Sequence, residues 1–155
     1  MHDKTAEAMI ESCACHRIRM AARAVTRSYD QALRPAGLRA TQIAVLAAVA
    51  ARGALSIAEL ARAVGMDRST LTRNLGPLEA EGLLARGDEG WRRSRSLELS
   101  ARGRARLEQA LPLWKEAQKR LRRQLGEEGW DDVQRSVDRV LRSAERTPQR
   151  GARKP

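Results

Sequence analysis

Residues 56–99 place the strongest constraint on how this chain can fold, because they predict two short helices joined by a tight turn. Ser56 is a favourable N-cap, and Glu59 three residues later completes a capping box. Gly65 ends the first helix, and Asp67 caps the second helix almost immediately afterwards. Two helices joined in this way are typical of a helix-turn-helix unit.

The second predicted helix divides its residues between two faces. Leu71, Leu75 and Leu78 share one face at helical spacing, which predicts that this face is buried. The opposite face carries charged and hydroxyl side chains, namely Arg68, Ser69, Thr72 and Arg73. We expect this face to enter the DNA major groove; the alternative is an ordinary solvated helix surface. Pro77 lies within the helix, and we expect it to kink the helix near its C-terminal end without terminating it.

A basic hairpin is predicted after the helix pair. Short strands are expected in residues 83–86 and 95–99, and the tip between them carries Arg92 and Arg93. A basic hairpin beside a recognition helix forms a winged helix. We therefore expect Arg92, Arg93 or Arg95 to contact the DNA minor groove or the flanking phosphates. The alternative role of these arginines is to keep a loop soluble.

Long helices with apolar stripes are predicted on both sides of this unit. No proline or glycine interrupts residues 6–33, whose apolar side chains form two stripes. A second long helix after Ser100 carries a coiled-coil-like seam with one polar position, formed by Leu107, Leu111, Trp114, Gln118, Leu121 and Leu125. The apolar surface of these stripes is larger than a small winged domain can bury, so we expect two copies to pair as a two-fold homodimer. Such a dimer presents two recognition helices to half-sites about 34 Å apart.

The formal net charge of +11 favours a polyanionic partner, most often a nucleic acid, with an anionic membrane as the rival. No apolar run is long enough to span a bilayer, and the N-terminus lacks the layout of a signal peptide. We therefore expect a cytoplasmic protein without membrane contact. The sequence contains no nucleophile elbow, phosphate-binding glycine loop or cofactor motif, which argues against an enzyme.

Cys13, Cys15 and His16 are the candidate redox or metal-binding residues. On a continuous helix, residues two positions apart point to nearly opposite sides, so Cys13 and Cys15 are not expected to close a disulfide there. Cys13 and His16 share a face, but two ligands fall short of a zinc site, and no metal is expected. Redox sensing by the thiols and simple packing as small apolar side chains both remain open.

The order and spacing of these segments resemble the MarR-type (multiple antibiotic resistance) winged-helix regulators over about residues 15–141. The resemblance is carried by residues 29–38, 60–61, 64–65, 67–73, 78–79 and 81–83, together with Gln42, Leu46, Arg93, Leu97, Leu99 and Gly103. The expected fold is mainly α with a small β-wing. Its expected parts are dimerisation helices in residues 1–38 and 101–146, a winged helix-turn-helix DNA-binding lobe in residues 39–100, and a disordered basic tail in residues 147–155.

The resemblance implies an obligate homodimer that reads DNA with the helix after Asp67. It carries over Ser69, Thr70, Thr72 and Arg73 as major-groove or phosphate contacts, and Arg93 or Arg95 as the wing contact. It also implies repression, with release from DNA when a small, often aromatic, ligand enters the cleft between the dimerisation and DNA-binding lobes. The leading hypothesis is therefore a homodimeric repressor of a pseudo-palindromic operator. The wing departs from the family at Trp91, where an aspartate usually orients the arginine.

His16, Arg23 and Tyr29 are the candidate effector-binding residues, although a buried tyrosine with a satisfied hydroxyl is the commoner arrangement. Two other functions remain open. One is a thiol-based redox repressor that uses Cys13 and Cys15, since some members of the family respond to cysteine oxidation. The other is a non-specific architectural or RNA-binding basic module, which would bind an operator and a random duplex alike.

Overall fold

The computed structural model describes residues 3–86 and 96–145. In chain order its elements are α1 (Lys4–Ser12), α2 (Ala14–Leu33), a 3₁₀ turn (Arg34–Ala36), α3 (Ala40–Arg52), β1 (Leu55–Ser56), α4 (Ile57–Val64), α5 (Arg68–Ala80), β2 (Leu84–Arg86), β3 (Ser96–Leu99) and α6 (Ala101–Glu145). The mainly helical architecture with one small antiparallel sheet confirms the predicted fold class. The predicted wing residues Trp91, Arg92, Arg93 and Arg95, and the predicted tail, lie outside the described residues.

The helix-turn-helix forms where the local signals predict it. The Ser56 N–H donates to Glu59 Oε2 at 2.9 Å and the Glu59 N–H donates to Ser56 Oγ at 3.2 Å, which completes the capping box. Gly65 ends α4 with a φ of 65°, a left-handed conformation that favours glycine. Asp67 then caps α5 by accepting from the Thr70 N–H at 2.8 Å. The predicted start and end of α4 and the predicted start of α5 are confirmed.

One face of α5 is fixed by the hydrophobic core. Leu71, Leu75 and Leu78 are each at most 2% exposed, as predicted, and pack with buried leucines and valines of α3, α4 and the sheet. Full burial of a leucine side chain contributes about 1.5–3 kcal/mol, so three of them hold the helix firmly. Pro77 lies inside the helix, which continues to Ala80 as predicted. The outer face of α5 is thereby held towards solvent.

The three strands form an antiparallel sheet in the order β1–β3–β2. Leu97 of β3 pairs with Leu55 on one side and with Arg86 on the other, and its side chain is 1% exposed. The two predicted hairpin strands are both present, and β1 adds a third strand directly before α4. The sheet therefore joins the start of the helix-turn-helix to the strands that follow it.

The start of α6 is joined closely to the end of α5. Ser100 Oγ donates to Gly82 O at 2.7 Å and accepts from the Gly103 N–H at 2.9 Å, while the Ser100 N–H donates to Leu83 O at 3.2 Å. A Cβ atom on Gly103 would lie 2.0 Å from Leu83 O, which is closer than non-bonded atoms approach. The absence of a side chain at Gly103 is what permits this junction.

The chain divides into two compact units, Met1–Ala117 and Gln118–Pro155, and α6 contributes residues to both. Gly126 has φ 70° and ψ 169°, a non-helical conformation that interrupts α6 at this residue. Both units leave large apolar side chains exposed. In the first unit these are Met9, Ile10, Ile18, Met20, Val25 and Leu111; in the second they are Leu125, Val133, Val137, Val140 and Leu141.

Across residues 3–86 and 96–145, no helix is both long enough and apolar enough to cross a membrane.

The prediction of one continuous N-terminal helix is wrong at Cys13. This residue has φ −70° and ψ 107°, an extended conformation that ends α1 and begins α2. Neither proline nor glycine marks the break, so no local signal in the sequence reveals it. Because Cys13 lies outside the helix, its side chain and that of Cys15 are not held on opposite sides of one continuous helix, in contrast to the prediction from the sequence.

Candidate nucleic-acid interface

The N-terminal half of α5 presents the polar face that the sequence predicts. Arg68, Ser69, Thr72 and Arg73 are exposed, and Thr70 is half-buried. Arg68 stands one turn before Thr72, and Ser69 stands one turn before Arg73, so these residues form two adjacent rows along the helix. The N-terminus of a helix also attracts anions through its unpaired N–H groups and its dipole. This end of α5 is therefore suited to a polyanionic partner.

The hydroxyl groups on this face donate hydrogen bonds to the protein itself. Ser69 Oγ donates to Asp67 Oδ1 at 2.6 Å, and Thr70 Oγ1 donates to Asp67 Oδ2 at 2.7 Å. These bonds, above all the one from Ser69, hold the pKa of the Asp67 carboxyl far below its ordinary range. Thr72 Oγ1 donates to Arg68 O at 2.8 Å. Since phosphate oxygens only accept, the hydroxyls must give up these bonds before they can donate to a DNA backbone.

Arg68 and Arg73 supply the available donors of this face. In the part of the chain that the structure describes, neither guanidinium forms an ion pair with a carboxylate. A guanidinium group carries five N–H donors in a planar fork that matches phosphate oxygens or the O6 and N7 atoms of guanine. The two arginines are therefore better placed than the hydroxyls to make the contacts expected of this helix.

A groove of about 510 Å³ extends this face towards α4 and the sheet. Its lining residues are Ser56, Ile57, Ala58, Arg68, Thr72 and Arg86. Arg86 at the end of β2 is oriented by Glu79, whose Oε1 accepts from Arg86 Nε at 2.9 Å. Sequence reasoning missed Arg86, because only the strand register places it beside α5. The described residues thus bring together the first turn of α4, the outer face of α5 and one strand arginine.

The candidate effector residues do not form one cluster. An apolar cavity of about 310 Å³ lies between α2, α3 and the first part of α6 and is lined by Tyr29, Ala40, Ile43, Ala44, Ala47, Leu107, Leu111 and Trp114. Burial raises the pKa of the Tyr29 hydroxyl. His16 and Arg23 lie further towards the N-terminus of α2 and do not line this cavity. Trp114, which the sequence places in the apolar seam of this helix, packs against the hydrophobic core and also forms part of the cavity wall.

The cysteines and the other metal-ligating residues form no evident metal centre. Cys13 is half-buried and Cys15 is exposed, and both are free thiols. Within the described ranges, no three side chains of histidine, cysteine, aspartate or glutamate converge on one point. The chemistry that the site offers is therefore hydrogen bonding and charge from guanidinium groups.

Two comparisons with known proteins, one of sequence profiles and one of solved structures, identify the family of this chain. The sequence profile of the MarR family matches residues 36–94. The transcriptional regulator MosR of M. tuberculosis is 37% identical, with 88% of this chain and 98% of MosR covered and a TM-score of 0.77. A structure of MosR in complex with DNA is 38% identical, with 86% and 97% covered and a TM-score of 0.73.

A more distant likeness confirms the fold. The transcriptional repressor CouR, bound to p-coumaroyl-CoA, is 24% identical, with 86% of this chain and 95% of CouR covered and a TM-score of 0.77. No curated protein sequence matches the chain. Because a regulator with more than a third of its residues identical aligns over nearly the whole of both chains, and the family profile covers the helix-turn-helix, this chain belongs to the MarR family of winged-helix, DNA-binding transcriptional regulators.

Proposed function

We propose that the protein is a homodimeric repressor that binds a pseudo-palindromic operator through the outer face of α5. The observation that carries this proposal is the exposed pair Arg68 and Arg73, which is free of carboxylate partners among the described residues and lies on a helix fixed by its buried leucines. The complex of MosR with DNA supports the same use of the fold. Arg86 extends the contact surface along the groove.

Dimerisation is proposed to use residues 1–38 and 101–146. Eleven large apolar side chains in α1, α2 and α6 are between 39% and 70% exposed in a single chain. Burial of apolar surface at about 25 cal/mol per Å² makes their pairing with a second copy favourable. A dimer also presents two copies of α5, which is what an inverted repeat requires.

Selection from a random duplex library tests this function against a non-specific basic module. We expect the full chain to enrich an inverted repeat, and to prefer it over a scrambled duplex at matched salt by at least about 1,000-fold. The protein should elute with a mass of twice 17.2 kDa. Failure to enrich any sequence, with equal binding to all duplexes, would favour the architectural or RNA-binding module.

The apolar cavity beside Tyr29 is the proposed effector site. Its two aromatic side chains, Tyr29 and Trp114, face small alanines of α3, so a flat aromatic molecule fits the walls. CouR, which shares the fold, is bound to p-coumaroyl-CoA, a ligand with an aromatic acyl group. We propose that an aromatic ligand in this cavity shifts the dimer away from its DNA-binding conformation.

Filling the cavity should remove the response to the effector while DNA binding persists. Ala44→Leu places a larger side chain against the ligand, whereas Ala50→Leu makes the same change on α3 outside the cavity. The measurement is a screen of aromatic acids for release of the protein from DNA. We expect Ala44→Leu to require at least about tenfold more of an active acid for release, since overfilling a pocket costs about 1–3 kcal/mol. An equal response in both variants would place the effector elsewhere.

A thiol switch is the second candidate function, and the helix break at Cys13 favours it. Cys13 is the N-cap of α2, and an N-cap side chain points over the first helical turn. Cys15 lies in that turn, so the two sulfur atoms are no longer forced to opposite sides of a helix. A hydroperoxide would oxidise one thiol to a sulfenic acid and leave as an alcohol, and the second thiol would displace water to form the disulfide.

Peroxide should therefore release the wild-type protein from DNA if the thiols act as a switch. The Cys13→Ser, Cys15→Ser double variant should stay bound under the same conditions, and dithiothreitol should restore binding of the oxidised wild type. Fluorescence anisotropy measures release, and mass spectrometry detects the loss of two hydrogens. Release of the double variant by peroxide would remove this candidate.

A further inference from the structure

A polar cleft of about 660 Å³ lies at the junction of α2, the 3₁₀ turn and α3. It is lined by Arg27, Asp30, Gln31, Arg34, Gly37, Leu38, Arg39 and Gln42. Arg27 and Gln31 share one face of the end of α2, Arg34 follows as the first residue of the 3₁₀ turn, and Arg39 lies across the turn. Neither the DNA-binding surface nor the effector cavity uses any of these residues.

The cleft carries an excess of positive charge. Among the described residues, the side chains of Arg27, Arg34 and Arg39 form no ion pair with a carboxylate. The only acidic side chain that lines the described cleft is Asp30, whose Oδ1 already accepts from the Ala40 N–H at 2.7 Å. Three guanidinium groups against one carboxylate leave two positive charges uncompensated. That excess matches the charge of a phosphate monoester near neutral pH.

A buried amide adds a hydrogen-bond donor to the cleft wall. Gln42 is 9% exposed, and its Oε1 accepts from the Arg39 N–H at 2.9 Å. Its Nε2 group donates to no acceptor among the residues that the structure describes, and no buried side-chain nitrogen or oxygen there lacks a partner. The Nε2 group must therefore reach solvent, and the cleft is the space that Gln42 lines. Its amide is therefore a donor that a ligand in the cleft can use in place of water.

We propose that this cleft binds the phosphate group of a small organic molecule of about nucleotide size. The guanidinium groups supply charge and paired donors, the Gln42 amide supplies a fixed donor, and the volume is within the range of about 300–1,000 Å³ that metabolite-sized ligands occupy. Asp30 Oδ2, which accepts no hydrogen bond from the described residues, and the Gln31 amide offer acceptors for hydroxyl or amino groups on the same molecule.

The position of the cleft separates it from the DNA-binding surface. The groove beside Arg68 begins at Ser56, beyond the C-terminal end of α3, whereas the cleft lies at the N-terminal end of the same helix. The thirteen residues of α3 span about 20 Å at 1.5 Å per residue. A free metabolite therefore fits this site better than a phosphate of the duplex bound by α5.

Isothermal titration calorimetry with adenosine 5′-diphosphate, inorganic phosphate and malonate tests the proposal. At about 150 mM salt, where long-range attraction is screened, we expect the diphosphate to bind the wild-type protein and inorganic phosphate to compete with it. The Arg27→Gln, Arg34→Gln double variant should lose at least about tenfold in affinity, and Arg39→Gln, a second and independent variant, should also weaken binding. The matched control Arg52→Gln, Arg62→Gln removes the same charge from exposed positions of α3 and α4 outside the cleft and should bind as the wild type does.

Four results would overturn the proposal. These are absence of binding by either phosphate probe, an equal loss in the cleft and control variants, malonate binding as tight as that of the diphosphate, and displacement of the diphosphate by operator duplex. Absence of binding would show that the cleft is not a phosphate site. An equal loss in the cleft and control variants would show that attraction follows net charge alone. Equally tight malonate binding would show that the cleft does not distinguish phosphate from a dicarboxylate. The fourth would assign the cleft to DNA. The first three results are read from ligand binding without DNA, and the fourth requires that the operator still bind, so none of them removes the proposed repressor function.

Discussion

Gly103→Ala is expected to lower the free energy of unfolding by about 3 kcal/mol, because the added methyl group meets a backbone carbonyl that cannot rotate away. The Cβ would lie 2.0 Å from Leu83 O and 2.9 Å from Leu99 Cδ1. Leu83 is itself fully buried, and its N–H donates to Leu78 O at 2.8 Å. Relief of the clash therefore requires that the start of α6 move away from the end of α5.

Thermal unfolding measures this loss, with an expected fall in Tm of about 10 °C for a chain of this size. Gly129→Ala is the matched control, because its Cβ would meet Leu125 Cβ at an ordinary contact distance of 3.6 Å. Alanine is the better helix former, so this change should be neutral or stabilise by up to about 1 kcal/mol. Equal melting temperatures for the two variants would show that the junction tolerates a side chain.

The double variant Arg68→Ala, Arg73→Ala is expected to lose specific DNA binding by at least about 1,000-fold. Each arginine contact with a base or phosphate contributes about 1–3 kcal/mol, and a two-fold dimer makes each contact twice. The slope of log affinity against log salt should also become shallower, by roughly one for each phosphate that is no longer neutralised. Both side chains are exposed, so the melting temperature should stay close to that of the wild type.

Fluorescence anisotropy with the selected duplex measures this effect across a salt series. The variant Arg123→Ala, Arg142→Ala, once shown to keep the dimer mass in gel filtration, removes the same charge from exposed positions of α6 and is the control for net charge. It should weaken binding only slightly at about 150 mM salt, because distant surface charges are screened. Equal losses in the two double variants would mean that binding follows net charge and that α5 is not the reading helix.

The helix-turn-helix was predictable because its signals are local. Ser56 with Glu59, and Asp67 with the Thr70 N–H, satisfy unpaired helix donors within three residues, so the sequence alone determines where α4 and α5 begin. The buried face of α5 follows from the spacing of its leucines. What the sequence does not reveal is how the hydroxyls of that helix are engaged, since Asp67 accepts from both Ser69 and Thr70.

Features that depend on distant parts of the chain were not predictable. The break at Cys13 has no proline or glycine to mark it, and only the φ and ψ angles of the folded backbone reveal it. The apolar cavity combines Tyr29 of α2 with Trp114 of α6, and neither residue indicates by its neighbours which wall it will form. Gly103 carries part of the family resemblance, but its physical role appears only when Leu83 O is found beside it.

Methylation interference on the selected duplex tests the central claim, which is that two copies of α5 read the major groove through arginine. Methylation of guanine N7 blocks a major-groove acceptor of arginine without changing base pairing. We expect two blocks of interference, centred about 10 base pairs apart, and the disappearance of both blocks from the residual binding of the Arg73→Ala variant. Binding that is insensitive to N7 methylation, or that shows one block only, would contradict this claim.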